Sequence, residues 1–383
     1  MTTATRNSKY IRATFGTSPI LYVAFELGVK EWKIGFTKDL GTKPRVRVMP
    51  ARDLKRLARE ITAAKQWFAL PANAAVRSCY EAGRDGFWLH RHLVTVGTDN
   101  RVIDSASIEV NRRQRRAKSD GLDARKLLGM LLRYHAGESK VWSVVRVPTV
   151  DEEDQRQLHR ELRTLKNEHT RVVNRMQGLL ASQGLQLPKG RNVGGLFEKM
   201  RLWDGSPVPT GLRARLQRDW EHAQFLQAKI LELQHQRSRA IKHDRGEAVD
   251  KVRQLLQLRG IGEHGAWVYV NEFFGWRQFN NRKEVGAAAG LVPTPYQSGD
   301  RHREQGISKA GNRHIRAIAI EMAWSWLRYQ PGSHLSRWFE ARFSRGGLRA
   351  RKIGIVALAR KLLIEVWRFL KDGTVPEGAL LKA

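Results

Sequence analysis

Over the first 140 residues the apolar positions switch between two periods. Residues 20–26 (ILYVAFE) and 31–37 (EWKIGFT) are short apolar runs separated by LGVK, which predicts two strands and a turn. RVRVM at 45–49 fits a third short strand. In 52–68, Leu54, Leu57, Ile61 and Ala64 recur at helical spacing. AVRSCYE at 75–81 returns to strand character, FWLHRHLVTV reads as helix, RVIDSA as a short strand, and 122–134 as helix. Three strands followed by helix–strand alternation predict a mixed sheet covered by helices.

The middle of the chain has one period only. Leu158, Leu162, Leu165, Val172, Met176 and Leu179 fall on a heptad seam, with His169 in one slot. Leu212, Leu216, Ala223, Leu226, Ile230 and Leu233 form a second seam, with Asp219 in one slot. Sustained heptads with charged flanks predict a coiled-coil arm over 150–244, broken by a Gly- and Pro-rich connector. The two helices can fold back on each other or pair with a second chain. From 250 to 375 the pattern is again globular and mainly helical. LRGIGEHGA at 258–266 has the form of a helix–hairpin–helix, and a polar Gly-rich loop around PTPYQSGDRHREQGISKAGN precedes further helices. The domain expectation is therefore a flexible tail at 1–18, an α/β domain at 19–140, the arm, and the C-terminal helical domain.

Charge changes the picture. The 383 residues hold 69 Lys and Arg against 37 Asp and Glu, a net +32. Self-repulsion of that size calls for a polyanionic partner, with nucleic acid the leading candidate. Residues 1–150 carry +15, 151–244 only +5, and 245–383 +12. The ends are thus expected to meet nucleic acid, and the arm to meet protein. No run approaches the roughly 18 apolar residues of a membrane span, so no membrane partner is expected. One cysteine, Cys79, excludes an intrachain disulfide and a multi-cysteine zinc site, and fits a reducing compartment. There is no GxxxxGK[ST] and no HExxH.

Four acids carry the candidate chemistry of the first domain. Glu26 and Glu81 end predicted strands, while Asp120 and Asp123 open a predicted helix three residues apart. Converging carboxylates can hold Mg²⁺, or Mn²⁺, for phosphodiester chemistry. DxxD at a helix start is also a capping arrangement, but a carboxylate in an apolar strand such as Glu26 needs a partner. Upstream, Arg112, Arg113, Arg115, Arg116 and Lys118 form a basic run suited to phosphates. Gly260 and Gly262 permit a tight turn whose backbone N–H groups can meet a phosphate. Ser298 is flanked by Arg301, His302, Arg303, Lys309, Arg313, His314 and Arg316. A serine among cations can attack phosphorus once a base or metal takes its proton. It can equally be a turn residue, and Ser308 an N-cap.

The chain resembles the DEDD-type insertion-sequence transposases of the IS-one-ten family, related to the Piv invertase. The resemblance rests on YVAFELG, CYEAGRDGF and KSDGLDARKL in the first half. In the second it rests on LLQLRGIGEHGAWVYVNEF, AAAGLVPTPYQSGDRHREQGISKAGNRHIRAIA and ARKIGIVALARKLLIEVWRFL. It implies a RuvC-like, ribonuclease-H-type domain, a coiled-coil arm and a serine-bearing transposase domain. It implies a Mg²⁺-binding tetrad of Glu26, Glu81, Asp120 and Asp123, and a nucleophile at Ser298 that forms a phosphoserine link to DNA, with acids and serine from different protomers. It further implies a structured noncoding bridge RNA pairing with donor and target DNA, a homo-oligomer, and a cytoplasmic, nucleoid-associated protein of a bacterium or archaeon. Nucleic-acid contacts are expected from the basic run, Gly260, Gly262, Arg301, Arg303, Lys309 and Arg313. The family usually has Asp at the first acid, where this chain has Glu26. Two other readings are a hydrolytic, junction-resolvase-like nuclease using the acids alone, and a non-catalytic nucleic-acid-binding relative.

Overall fold

The computed structural model describes residues 19–108, 120–188, 193–298 and 301–382. The tail at 1–18 and the basic run from Arg112 to Lys118 lie outside the described residues. The chain divides into two compact units that meet in sequence between Val147 and Pro148.

The first unit opens with β1 (Ile20–Leu27), β2 (Glu31–Thr37) and β3 (Arg45–Pro50), paired antiparallel in sequence order. Helix α1 (Leu54–Trp67) crosses to β4 (Ala75–Glu81), and α2 (Trp88–Thr95) to β5 (Asp99–Ile103). β4 pairs parallel with β1 and β5 parallel with β4, giving the order β3-β2-β1-β4-β5. Helix α3 (Asp120–His135) completes the unit. The two-residue strand period sorts the core. Leu21, Val23 and Phe25 face Leu57 and Ala64 of α1 and Leu89 and Leu93 of α2. Ala24, Cys79 and Ile103 face Leu127, Leu128 and Leu131 of α3. Each such large apolar side chain contributes about 1.5–3 kcal/mol on burial. β5 begins before the expected 101 because buried Asn100 accepts a 2.7 Å hydrogen bond from Ser78 Oγ on β4. It ends at Ile103 as Ser105 turns to donate to the Ala82 carbonyl.

The second unit begins with α4 (Val150–Asp154), closed by a capping box between Thr149 and Glu152. Helices α5 (Gln157–Ala181) and α6 (Thr210–His243) fold back on each other. Val172, Met176 and Leu180 meet Leu216, Ala223 and Leu226, and Val193 and Phe197 of the connector plug the same core. Asp219, the polar slot in the second seam, is held by Arg175 through 3.0 and 2.5 Å hydrogen bonds. Then come α7 (Glu247–Leu256), α8 (Glu263–Tyr269), a π-turn at Val270–Phe274 and α9 (Arg282–Ala288). Strands β6 (Pro293–Ser298) and β7 (Arg301–Ile307) precede α10 (Arg313–Tyr329), α11 (His334–Phe343) and α12 (Leu348–Asp372). The main core packs Ile318, Met322 and Trp326 of α10 with Leu358, Leu362 and Val366 of α12. Where a polar loop was expected around Ser298, the chain forms an antiparallel hairpin. Among the described residues no helix is long and apolar enough to cross a membrane.

Candidate functional site

Two of the four acids sit at one end of the first unit's sheet. β1 and β4 run parallel with Phe25 opposite Tyr80, so Glu26 and Glu81 follow at the next step on neighbouring strands. Side-chain alternation puts Glu26 on the face of Ala24, and Glu81 on that of Cys79, the face covered by α3. Glu81 is exposed and Glu26 half-buried, with Lys33 as its register partner on β2.

Helix α3 runs opposite to β1. Its last residue, His135, lies 5.9 Å from the Tyr22 ring near the start of that strand. About two turns from its beginning, the Leu127 carbonyl accepts from Cys79 Sγ at 3.8 Å. Gly35, paired with Ala24, faces Ala124 and Leu128, and an added Cβ would sit in ordinary contact 3.5 Å from the Ala124 oxygen. The first turn of α3, carrying Asp120 and Asp123, therefore lies toward the strand ends that carry Glu26 and Glu81. The backbone thus gathers all four positions at one end of the sheet. Among the described side chains, no third His, Cys, Asp or Glu joins Glu26 and Glu81 as a metal-holding group. Cys79 is fully buried, and burial pushes its thiol up, so it is inert.

The second unit holds Ser298. It is the last residue of β6 and pairs with Arg301, the first of β7, while Tyr296 pairs with Arg303. The hairpin is fixed at its root. Ser308 N–H donates to the Val292 carbonyl at 2.9 Å, Lys309 N–H to Gly290 at 3.2 Å, and Asn312 N–H to Ala288 at 2.9 Å. Gly290 has φ +67°, and an added Cβ would collide with the Ala310 carbonyl, so only glycine allows this crossing. Lys309 is exposed with φ +55°, and Arg313 is exposed at the start of α10.

A buried carboxylate that the sequence reading missed anchors the same root. Glu272, in the π-turn, is wholly buried. It accepts from His159 Nε2 at 2.8 Å, from Arg160 Nε at 2.5 Å and Nη2 at 3.0 Å, and from Asn312 Nδ2 at 3.1 Å. Burial works to raise its pKa, but the hydrogen bonds from His159 and Arg160 and their charge prevail and hold it well below the usual carboxylate range. Asn312 Oδ1 in turn caps α10, accepting from His314 N–H and Ile315 N–H at 2.8 and 3.3 Å. The signal was present: one acid in the apolar run AWVYVNEFF must have partners.

The turn between α7 and α8 is built for close packing. Gly260 has φ +92°, its carbonyl accepts from Ser325 Oγ at 2.7 Å, and an added Cβ would lie 3.1 Å from Tyr329 Cβ. Lys382 Nζ donates to the Ile261 carbonyl at 2.9 Å. Gly262 is the N-cap of α8. His264 lies on α8 with Arg237 Nη1 3.3 Å from its Nδ1. Burial and then the Arg237 charge lower its pKa to about 4.

The Transposase IS116/IS110/IS902 family profile matches residues 252–337, the segment that contains Ser298, Glu272 and Gly260. The chain is 42% identical over 312 residues to y4rJ of Sinorhizobium fredii, a protein named as a transposase, covering 79% of this chain and 78% of that one. It is 24% identical over 308 residues to the transposase for insertion sequence element IS1328 of Yersinia enterocolitica, covering 80% and 85%. The transposase for IS1111A of Coxiella burnetii is 29% identical over 230 residues, covering 58% and 60%. The chain belongs to the IS116/IS110/IS902 family of transposases.

Proposed function

We propose that the chain cuts and rejoins donor and target DNA through a covalent phosphoserine intermediate. Ser298 Oγ attacks phosphorus, the new O–P bond replaces the bond to a deoxyribose oxygen, and that oxygen leaves with a proton. Attack on the phosphoserine by the hydroxyl released from the other DNA joins donor to target, restores the serine and needs no external energy source. The observation that carries this reading is the gathering of Glu26, Glu81 and the first turn of α3 at one sheet end, in a chain whose serine ends a strand of a short hairpin. The sheet order and the acid positions favour a RuvC-like, ribonuclease-H-type domain.

The donor set fits a hard divalent cation, because all four residues offer carboxylate oxygens and none offers sulfur. Glu26, Glu81, Asp120 and Asp123 would hold Mg²⁺, or Mn²⁺, which when bound polarises phosphoryl oxygens. The basic run from Arg112 to Lys118, the glycines of the α7–α8 turn, and Arg301, Arg303, Lys309 and Arg313 bind phosphates. Sequence choice rests with a structured noncoding RNA paired to both DNAs. That division of labour suits a chain of net +32 whose charge is spread over both ends. The α5–α6 arm joins protomers into an oligomer.

A suicide DNA substrate with Mg²⁺ tests the chemistry. A covalent protein–DNA adduct that Ser298→Ala abolishes is expected. Normal cleavage by Ser298→Ala together with none by Asp120→Ala would instead establish a hydrolytic nuclease. No cleavage with any divalent metal would favour a binding protein. Recombination at full rate by RNA-free protein would remove the guide RNA from the proposal.

A further inference from the structure

The elbow between α11 and α12 concentrates positive charge that the fold leaves uncompensated. Residues 340–352 carry Arg342, Arg345, Arg349, Arg351 and Lys352 against a single acid, Glu340. All five cations are exposed, and none makes an ion pair or side-chain hydrogen bond among the described residues. Arg349, Arg351 and Lys352 lie at the start of α12, whose first turn contains no acid. A helix N-terminus carries partial positive charge and favours acids there, so these cations stand where helix electrostatics opposes them. The N-cap, Gly347, has no side chain to satisfy the open backbone N–H groups.

The elbow is also rigid. Gly354 of α12 lies so close to Phe343 of α11 that an added Cβ would fall 2.5 Å from the ring Cγ. The Phe343 ring is itself held by Trp338 at 5.6 Å and Phe339 at 5.8 Å. Packing of this kind fixes the backbone from which the cations extend, which removes the backbone share of the ordering cost of binding. A local choice that opposes helix stability yet is set on a rigid frame marks a functional surface.

We propose that the α11–α12 elbow is a docking site for the sugar–phosphate backbone of duplex DNA. The five cations contact phosphates, and the uncapped N–H groups of α12 face the same strand. Such contacts set register and read no sequence. The site lies beyond the family-matched segment at 252–337 in sequence and uses neither Ser298 nor the acids. It does not rest on the serine chemistry, because a transposase of any mechanism must hold DNA.

The test uses the full chain, a labelled DNA duplex of mixed sequence and a salt series. The R345Q/R349Q/K352Q variant is expected to lower the slope of log affinity against log salt by roughly 2.7, about 0.9 for each phosphate no longer neutralised. Lysine at the two arginine positions should keep the slope. Wild-type slope and affinity in the glutamine variant would overturn the proposal. So would a weakening confined to duplex RNA, which would assign the elbow to RNA instead. R349E separates binding from folding. It places an acid in the first turn of α12, so the melting temperature should rise by about 1–3 °C while DNA affinity falls. A fall in both would make the elbow structural and end the proposal.

Discussion

Glu26 and Glu272 are both single acids within apolar runs, yet the two units treat them in opposite ways. In the second unit Glu272 is sealed, and His159, Arg160 and Asn312 fill its acceptor sites. In the first unit Glu26 remains half-buried at a sheet end, with exposed Glu81 on the next strand and the start of α3 above. A carboxylate whose acceptors are saturated by its own chain is a fastener. Acids that neighbouring strands bring to the same sheet end are placed to act together. An isolated acid in an apolar run therefore marks importance, and only its surroundings say whether that importance is chemical or structural.

The comparison can be broken at four points. The largest effect is expected at the sheet end. Glu81→Ala should lower DNA strand cleavage by on the order of a thousandfold, several kcal/mol of lost transition-state stabilisation. Its unfolding free energy should stay within about 0.5 kcal/mol of wild type, as for an exposed position. A cleaving variant would remove Glu81 from the chemistry. Next comes Glu272→Ala, which leaves Arg160 and His159 uncompensated and should cost about 3–5 kcal/mol in denaturant unfolding. A cost under about 1 kcal/mol would show that the cluster fastens nothing.

The third point is acid sensitivity. His264 has its folded-state pKa lowered to about 4, so the unfolded chain binds the proton more readily. Its contribution is fully present above about pH 6.5 and is lost as pH falls toward 4. Glu272, also held low, contributes above the ordinary carboxylate range and loses that contribution below it. Thermal melts between about pH 7 and pH 5 should therefore be flatter in His264→Gln, while Glu272→Gln changes the profile only at lower pH. The smallest effect is Gly260→Ala, where φ +92° and the nearby Tyr329 Cβ should together cost about 1–2 kcal/mol. A neutral result in calorimetry would mean that the turn relaxes.

Much of the first unit was legible because each strand is a short apolar run bounded by turn residues. The expected strands at 20–26, 31–37, 45–49 and 75–81 agree with β1 to β4 within a residue at each end. The heptads located α5 and α6, but they could not show that the helices pack on each other. They also passed over His159, which lies beside the seam position Leu158 and points to Glu272. The hairpin around Ser298 was illegible for a different reason. Two prolines, and strands rich in polar residues, hide the two-residue period that marks a strand. Glu272 escaped because its partners come from helices far away in the chain, and no local window contains them.

That last separation has a kinetic consequence. The α5–α6 hairpin closes over the connector at 182–209, whereas the His159–Glu272 contact joins residues 113 apart. Local contacts form early and distant ones late, so the arm should assemble before its root is locked to the π-turn. Weakening the lock would then speed unfolding and leave the folding rate nearly unchanged. Glu272 governs how long the hairpin that carries Ser298 stays in place more than how quickly it gets there.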